Sequence, residues 1–302
     1  MSSDSPPPPP TATQRTRCNL CGRDFDERAS EQADVRCNVR AFAAERFTIW
    51  RCAGCRCLHC RSVVDLDRYY AAYPVYQQRL DWFARLALGR LLARCRAAGL
   101  NRAHRLLDYG CGSGNFVRYL HSRGYAHAVG YDPYAAGPLG DPQVLAAGPF
   151  DFVCLLDVIE HVEDPRELLA HMARLVRPGG HLLLGTPAAD KIDLRHADRH
   201  VNHLHVPYHL HIYTQAALES LGRAAGFEPC RAYHRYFAET PLFGMNELFW
   251  RGYQRRLDDT VDALGEPLRI GLILRSPVLL FQGTFGYLCR PRHSVTIVFR
   301  RG

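Results

Sequence analysis

The sequence predicts an α/β protein built on a doubly wound, mostly parallel sheet, with a small cysteine-rich module ahead of it and a helical insert before the last strand. Three observations predict this. From His104 onward short apolar runs alternate with amphipathic stretches, a glycine-rich turn follows the first of those runs, and cysteines crowd the N-terminal part at positions 18, 21, 37, 52, 55, 57 and 60. Nearly all-apolar strands separated by amphipathic helices mean a parallel sheet covered on both faces.

The elements follow in order. Residues 1–16 are rich in Pro, Ser and Thr, cannot bury a core, and are expected to be a disordered tail. Residues 17–62 hold the cysteine module. Residues 63–100 form a helical linker, one short and one long helix broken at Pro74 and ending near Gly99, with apolar residues at helical spacing (Leu80, Phe83, Leu86, Ala87, Leu91). Residues 101–302 make the main domain. In it "RLLDY", "HAVGYD", "FDFVCLLD" and "GGHLLLGT" read as strands, and "NFVRYLHSRG" and "DPRELLAHMARLV" as helices, the second with Pro165 in its first turn. "GFEPCRAYHRYF" and "HSVTIVFRR" are two further strands, and about 240–290 between them is a helical, aromatic-rich insert suited to act as a lid.

Composition removes several function classes. With 302 residues, 47% of them hydrophobic, the chain can bury a real core. The net charge of +8 is carried almost wholly by scattered arginines, Lys191 being the sole lysine, so a nucleic-acid partner is not expected. "LRIGLILRSPVLLFQGTFGYLC" is the most apolar stretch, but Arg275, Pro277 and Gln282 interrupt it and it is not expected to span a bilayer. A homo-oligomer contact or a lipid-like surface stays open for it. The first residues show neither a basic head nor an apolar stretch, which predicts a cytoplasmic chain without a signal peptide.

Asp108, Gly110, Gly112 and Gly114 sit at the carboxyl end of the first main strand, where an open α/β sheet binds its ligand. Glycine is needed there for unusual dihedrals and for close approach of the ligand. The spacing is GxGxG, whereas a dinucleotide fingerprint is GxGxxG. A carboxylate beside the turn would repel a diphosphate and attract a ligand carrying an ammonium and a sulfonium, as S-adenosylmethionine does. Asp132 ends the second strand, where an acidic side chain can accept hydrogen bonds from both ribose hydroxyls.

"LLDYGCGSGNF", "VGYDP" and "FDFVCLLDVIEHVEDPRELLAHMARLVRPGGHLLLGTP", in that order over about residues 100–235, resemble the class I S-adenosylmethionine-dependent methyltransferases, particularly the branch with ubiquinone-type O-methyltransferases and enzymes of biosynthetic clusters. The resemblance implies a Rossmann-like fold. It also implies cofactor-binding roles for Asp108, Gly110, Gly112 and Gly114 on the methionine portion, Asp132 on the ribose, and Asp157 at the tip of strand four. One departure stands out: eighteen residues separate Asp132 from Asp151, so the usual helix and third strand are compressed and the adenine contacts have no assigned residue.

Cys18-x2-Cys21 and Cys52-x2-Cys55 are two knuckle-like pairs thirty residues apart, which predicts a four-thiolate zinc ribbon. Cys57-x2-Cys60 overlaps the second pair and could replace it, although "RCAGC" supplies the small turn residues of a knuckle; Cys37 reads as a loop or core thiol. Such a closed site leaves no position for substrate, so the zinc is expected to be structural. A ribbon ahead of this domain resembles the zinc-binding region of deoxysugar C-methyltransferases.

Methyl transfer needs alignment first and a base only when the acceptor must lose a proton. His161 follows strand four, and His196, His200, His203, His205, His209 and His211 crowd the loop after strand five. Most of that crowd is expected to be structural or solvent-facing, with one or two lining the pocket. His209, in a "YHL" segment that resembles one recurrent in related enzymes, leads as candidate base, followed by His161 and Tyr208; His161 reads equally as an orienting residue for the helix at Pro165. Tyr69, Tyr70, Tyr73 and Tyr76 make an aromatic patch that either folds over the cofactor or simply packs.

The expected function is methyl transfer from S-adenosylmethionine to a small-molecule acceptor, on oxygen, in a bacterial biosynthetic pathway. An RNA methyltransferase gripping nucleic acid with the ribbon is the enzymatic alternative, and "LLDVIEH" lacks the Asn-Pro-Pro-aromatic arrangement it would need. A non-catalytic, cofactor-binding scaffold is the third reading, separated from the others by product formation with labelled cofactor.

Overall fold

The structure is a computed structural model that describes residues 13–73, 80–135, 137–289 and 293–302. The chain begins with a small antiparallel sheet, β1 (Gln32–Arg36), β2 (Arg46–Arg51) and β3 (Leu58–Cys60), followed by helices α1 (Leu66–Tyr70) and α2 (Trp82–Ala97). Asp65 and Asp81 cap these helices, accepting from Asp67 N and Ala84 N. The break assigned to Pro74, Tyr76 of the aromatic patch, and residues 1–12 of the expected tail lie outside the described residues.

The main sheet starts with β4 (Leu106–Tyr109), α3 (Asn115–Ser122) and β5 (Ala128–Tyr131). It continues through the short α4 (Gln143–Ala146), β6 (Phe150–Leu156), α5 (Pro165–Leu175) and β7 (Val176–Pro187). Asp164 fixes the start of α5 by accepting from Arg166 N and Glu167 N, with Pro165 at the first helical position. After α6 (Val201–Leu204), β8 (His211–Ile212) and α7 (Gln215–Ala224) come β9 (Phe227–Tyr233), the insert helices α8 (Glu247–Gln254), α9 (Ile270–Leu274) and α10 (Pro277–Phe285), and finally β10 (Ser294–Arg301).

The main sheet has the order β5-β4-β6-β7-β10-β9. The pairs β4/β5, β4/β6 and β6/β7 are parallel, and β10 runs antiparallel to both β7 and β9. The chain therefore leaves β4 in one direction for β5 and returns on its other side for β6, which makes the carboxyl end of β4 a topological switch point. Leu107, Val153, Leu155, Leu182, Leu184, Ile297 and Phe299 fill one face of the sheet, and Leu106, Phe152, Cys154, Leu183 and Val298 fill the other. Among the described residues no strand lies beyond β5, in keeping with the short link between Asp132 and Asp151. That link instead folds back: Leu139 O accepts from Asp132 N at 2.8 Å.

The cysteine module does not stand apart. Its sheet runs β1-β2-β3-β8, so a strand from the histidine-rich loop completes it. One apolar core joins Val35, Phe47, Ile49 and Leu58 of the module to Ile192, Leu194, Leu204, Tyr208 and Ile212 of that loop. Residues 13–16, assigned by composition to the tail, are tied to this edge. Val63 N donates to Thr13 O, Arg15 N donates to Arg61 O, and the buried Arg15 guanidinium meets Glu163 at 2.5 Å and the Cys60 carbonyl. The pairing with a partner strand holds what the sequence of these four residues could not.

Candidate active site and metal centre

The glycine turn is built by backbone geometry. Gly110, Gly112 and Gly114 all have positive φ (+78°, +51° and +70°), a region that costs any residue with a Cβ. A Cβ on Gly110 would come within 2.2 Å of Val158 Cγ2, and one on Gly114 within 2.9 Å of Leu139 Cδ1, whereas one on Gly112 would point into open space. Gly110 is thus held by packing as well as by its dihedral, Gly114 chiefly by its dihedral, and Gly112 faces open space. Asp132 closes the turn: its Oδ2 accepts from Gly112 N and its Oδ1 from Tyr134 N, both at 2.9 Å. Asp108 lies buried beside it, and burial, reinforced by Asp132, pushes its carboxyl up to about 7. Two grooves of about 830 and 580 Å³ lie elsewhere, the larger lined by Leu92, Leu100, Ser122 and Tyr125 and the smaller by Glu31, Arg51, Asp190 and Arg195. Neither touches the glycine turn, and the chemistry of the turn locates the site better than groove size.

From Asp132 a row of rings leads to the candidate bases. Tyr134 stacks on Tyr70 with centroids 4.8 Å apart, the Tyr70 hydroxyl lies 3.0 Å from His161 Nδ1, and the His161 and His209 rings meet edge to face at 4.8 Å. The structure thus brings His161 and His209 together beside the tip of β6. His209 Nδ1 is 2.8 Å from His203 O. A carbonyl only accepts, so Nδ1 carries the proton and Nε2 keeps its lone pair. Burial, with His161 and His205 adding to it, holds His209 well below the usual imidazole range; burial likewise pushes His161 down to about 4.

Glu160 is the residue that motif reading passed over. It is fully buried, its oxygens have no hydrogen-bond partner among the described residues, and Oε1 lies 3.9 Å from His209 Nε2. Burial and then Asp157 push its carboxyl up, which favours its protonated form beside His209. Its only sequence signal was a position inside "LLDVIEH". Asp157 has φ +52°, accepts from the Tyr236 hydroxyl at 3.3 Å, and is pushed by burial up to about 6. Tyr208 is fully buried and donates its hydroxyl to Tyr69 O at 2.9 Å, which makes it a wall of the site rather than a reactive group. His205 is likewise engaged at both nitrogens, by Asn38 and Tyr73. Tyr70 and Tyr73 join this wall, while Tyr69 packs against Phe42 and Phe47 in the module.

Cys18, Cys21, Cys52 and Cys55 converge with all four sulfurs within 4.8 Å of one another. Cys18 Sγ is 3.5 Å from Cys55 Sγ, and Cys21 Sγ is 3.4 Å from Cys52 Sγ. Each pair is presented by a tight turn: Gly22 N donates to Cys18 O, Arg56 N to Cys52 O, and Gly54 N to Cys52 Sγ at 3.4 Å. Four thiols at this spacing fit a tetrahedral zinc with bonds of about 2.3 Å. Cys57 and Cys60 are buried elsewhere, Cys57 Sγ toward Thr214 and Cys60 Sγ toward Ser62 O, and Cys37 lies in the core.

The chain is similar to several known proteins. The chain is 35% identical over 136 residues to the ubiquinone biosynthesis O-methyltransferase of Caulobacter vibrioides, covering 36% of this chain and 50% of that one. The corresponding protein of Aromatoleum aromaticum is 31% identical over 128 residues, covering 36% and 49%. The chain spans about half the length of the curated relatives it matches. A crystal structure of a SAM dependent methyltransferase from Archaeoglobus fulgidus aligns with a TM-score of 0.45 at 14% identity, covering 77% of this chain and 99% of that one. Burkholderia thailandensis 1,6-didemethyltoxoflavin-N1-methyltransferase, solved with S-adenosylhomocysteine, aligns at 0.42 and 14%, covering 84% and 95%. Residues 77–231, half of the chain, match the family described as "Methyltransferase domain", and the protein belongs to that family.

Proposed function

We propose that the protein transfers a methyl group from S-adenosylmethionine to a small-molecule acceptor, on oxygen, in a biosynthetic pathway. The observation that carries this reading is the buried Asp108 carboxylate beside a turn whose Gly112 keeps a cradle free of side chains, at the switch point of the sheet. Asp108 would pair with the cofactor's ammonium, the backbone of Gly110 to Gly114 would line its methionine portion, and Asp132 would accept from the ribose hydroxyls with the lone pairs that Gly112 N and Tyr134 N leave free. When bound, the cofactor supplies an electrophilic methyl on a sulfonium.

The chain's own residues do the rest. His209, with its proton fixed on Nδ1, offers Nε2 to take the acceptor's proton, and Glu160 stands 3.9 Å from that nitrogen. Tyr70, Tyr134 and Tyr208 wall the space between Asp132 and His209. Asp157 at the β6 tip, held by Tyr236, would close over the cofactor, and the insert over about 240–290 would cover the acceptor. Cys18, Cys21, Cys52 and Cys55 would hold a structural zinc, a site with no open position and no part in the transfer.

None of the twelve cysteines is in a disulfide. Among the described residues no helix is long and apolar enough to cross a membrane. The insert nonetheless exposes Ile270, Leu274, Phe281 and Leu288, each more than half accessible, as a surface for a second copy or a lipid-like substrate. Calorimetry tests the reading: S-adenosylmethionine should bind the wild-type chain and bind Asp132→Ala far more weakly, and labelled cofactor should yield a methylated small molecule from cell extract. Binding without any product would leave a scaffold.

A further inference from the structure

We propose that His203, Glu247 and His293 form a second metal site, for a single divalent transition-metal ion such as zinc, which ties the helical insert to the main sheet. The three residues come from separate parts of the chain: α6, the first residue of α8, and the residue just before β10. Their donor atoms nevertheless lie within 4.8 Å of one another. Glu247 Oε1 is 2.8 Å from His293 Nδ1 and 3.4 Å from His203 Nε2. Donors around a tetrahedral ion with bonds of about 2.0–2.1 Å stand roughly 3.3–3.5 Å apart, so shifts of about an ångström bring all three onto one centre. The same comparison holds for the four thiols of the module, whose shortest sulfur separations are 3.4 and 3.5 Å.

Two imidazoles and a carboxylate are a donor set suited to zinc, iron or cobalt rather than to magnesium or calcium. The backbone at each ligand is fixed. The His293 carbonyl accepts from Ala188 N at 2.8 Å, Glu247 N donates to Glu239 Oε1 at 3.3 Å, and His203 N donates to His200 O at 2.9 Å. Asn246 fixes the start of α8 by accepting from Phe249 N, and its amide donates to Gln282 O in α10. These bonds set where the three ligand-bearing segments stand.

The imidazoles around this point are also incompletely satisfied. His200 Nδ1 and His203 Nδ1 are buried with no partner among the described residues. The His200 ring stands 5.1 Å from that of His293, and its Nε2 accepts from Asp193 N, so it is a neighbour of the three donors rather than one of them. The Glu247 and His293 side chains are each about a quarter exposed (26% and 24%), so the ion has a path in and a water can take a remaining position. The carbonyl of His203 is the group that accepts from His209 Nδ1. An ion here would therefore steady α6, the insert and the proposed base together.

The test uses the full chain, stripped with a chelator, reloaded with excess Co2+ and freed of loosely held metal. Elemental analysis should give two equivalents per chain in the wild type and one in Glu247→Gln and His293→Gln. The intense thiolate-to-cobalt charge-transfer absorption should be equal in all three, which shows that the variants are folded and that the cysteine site is untouched. Addition of Zn2+ should slow proteolysis of the insert in the wild type and have no such effect in either variant. A wild type that holds one equivalent, with only the thiolate signature, overturns the proposal, as do variants that keep two.

Discussion

The cysteine site and the histidine cluster are two solutions to the same problem of bringing donor atoms to one point, and they differ in how far the chain travels to do so. Cys18/Cys21 and Cys52/Cys55 are presented in pairs by local turns, whose hydrogen bonds run between residues a few positions apart. His203, Glu247 and His293 are brought together by the sheet, since the pairing of β10 with β7 is what sets His293 near α6. The glycine turn belongs with the first kind, and the row from Tyr134 through Tyr70 and His161 to His209 with the second. Local sites depend on short-range backbone chemistry; assembled sites depend on the whole fold.

If that contrast holds, the largest effect should come where a local site supports distant structure. Cys52→Ser should abolish metal retention by the module. Because β3 pairs with β8, and Arg15 joins Cys60 to Glu163, the loss should spread into the histidine loop. Structural zinc contributes on the order of 10 kcal/mol to domains of this kind, so hydrogen exchange should show protection lost over residues 32–60 and 205–213 together. Loss confined to 32–60 would break the comparison by showing that the module is independent.

The next effect tests the assembled site. His209→Gln should lower kcat by about 100- to 1,000-fold with little change in the cofactor's affinity, since removal of a general base affects the proton transfer alone. A change in KM only would reduce His209 to a wall residue. Asp132→Ala, in the local site, should do the reverse: loss of two charge-assisted hydrogen bonds at about 1.5 kcal/mol each weakens cofactor binding by about 100-fold. Titration calorimetry separates the two.

The legibility of the molecule follows the same division. Strands such as "FDFVCLLD" and the helix behind Asp164 and Pro165 were readable because their signals lie within a few residues, and so were the GxGxG turn and the two CxxC pairs. The preference for Cys52 and Cys55 over Cys57 and Cys60 came from the small residues of "RCAGC", and in the structure Gly54 N reaches Cys52 Sγ while the four sulfurs of Cys18, Cys21, Cys52 and Cys55 converge. Glu160 was not readable. A glutamate inside an apolar motif shows its character only when burial strips its oxygens of partners. The roles of the histidines were equally hidden, since His205 is spent on Asn38 and Tyr73, residues more than a hundred positions away. The dependence of the module on β8 was invisible for the same reason.

The two neighbouring glycines sharpen the point within a single turn. Gly110→Ala drives a methyl to 2.2 Å from Val158 Cγ2 at a φ of +78°, so strain and overpacking should lower stability by about 2–4 kcal/mol in a urea titration. Gly112→Ala meets nothing and should cost only about 1 kcal/mol of backbone strain, while weakening S-adenosylmethionine binding. Equal effects on binding from both would mean that Gly112 keeps no cradle.

The last effect is a pH dependence confined to Asp108. Its carboxyl stands at about 7 in the folded chain against 3.8 as an ordinary aspartate, because burial and then Asp132 oppose its charge. Between those values the folded state keeps a proton that the unfolded state has lost, so stability falls as pH rises through that window, by roughly 4 kcal/mol at most. Asp108→Asn should remove that slope. Binding runs the other way: the cofactor's ammonium favours the ionised carboxylate, so affinity should rise about tenfold from pH 6 to pH 8 in the wild type. In Asp108→Asn it should be flat, and weaker at pH 8. A wild-type affinity that does not change over this range would separate Asp108 from the ligand's charge and leave the glycine turn to bind through its backbone alone.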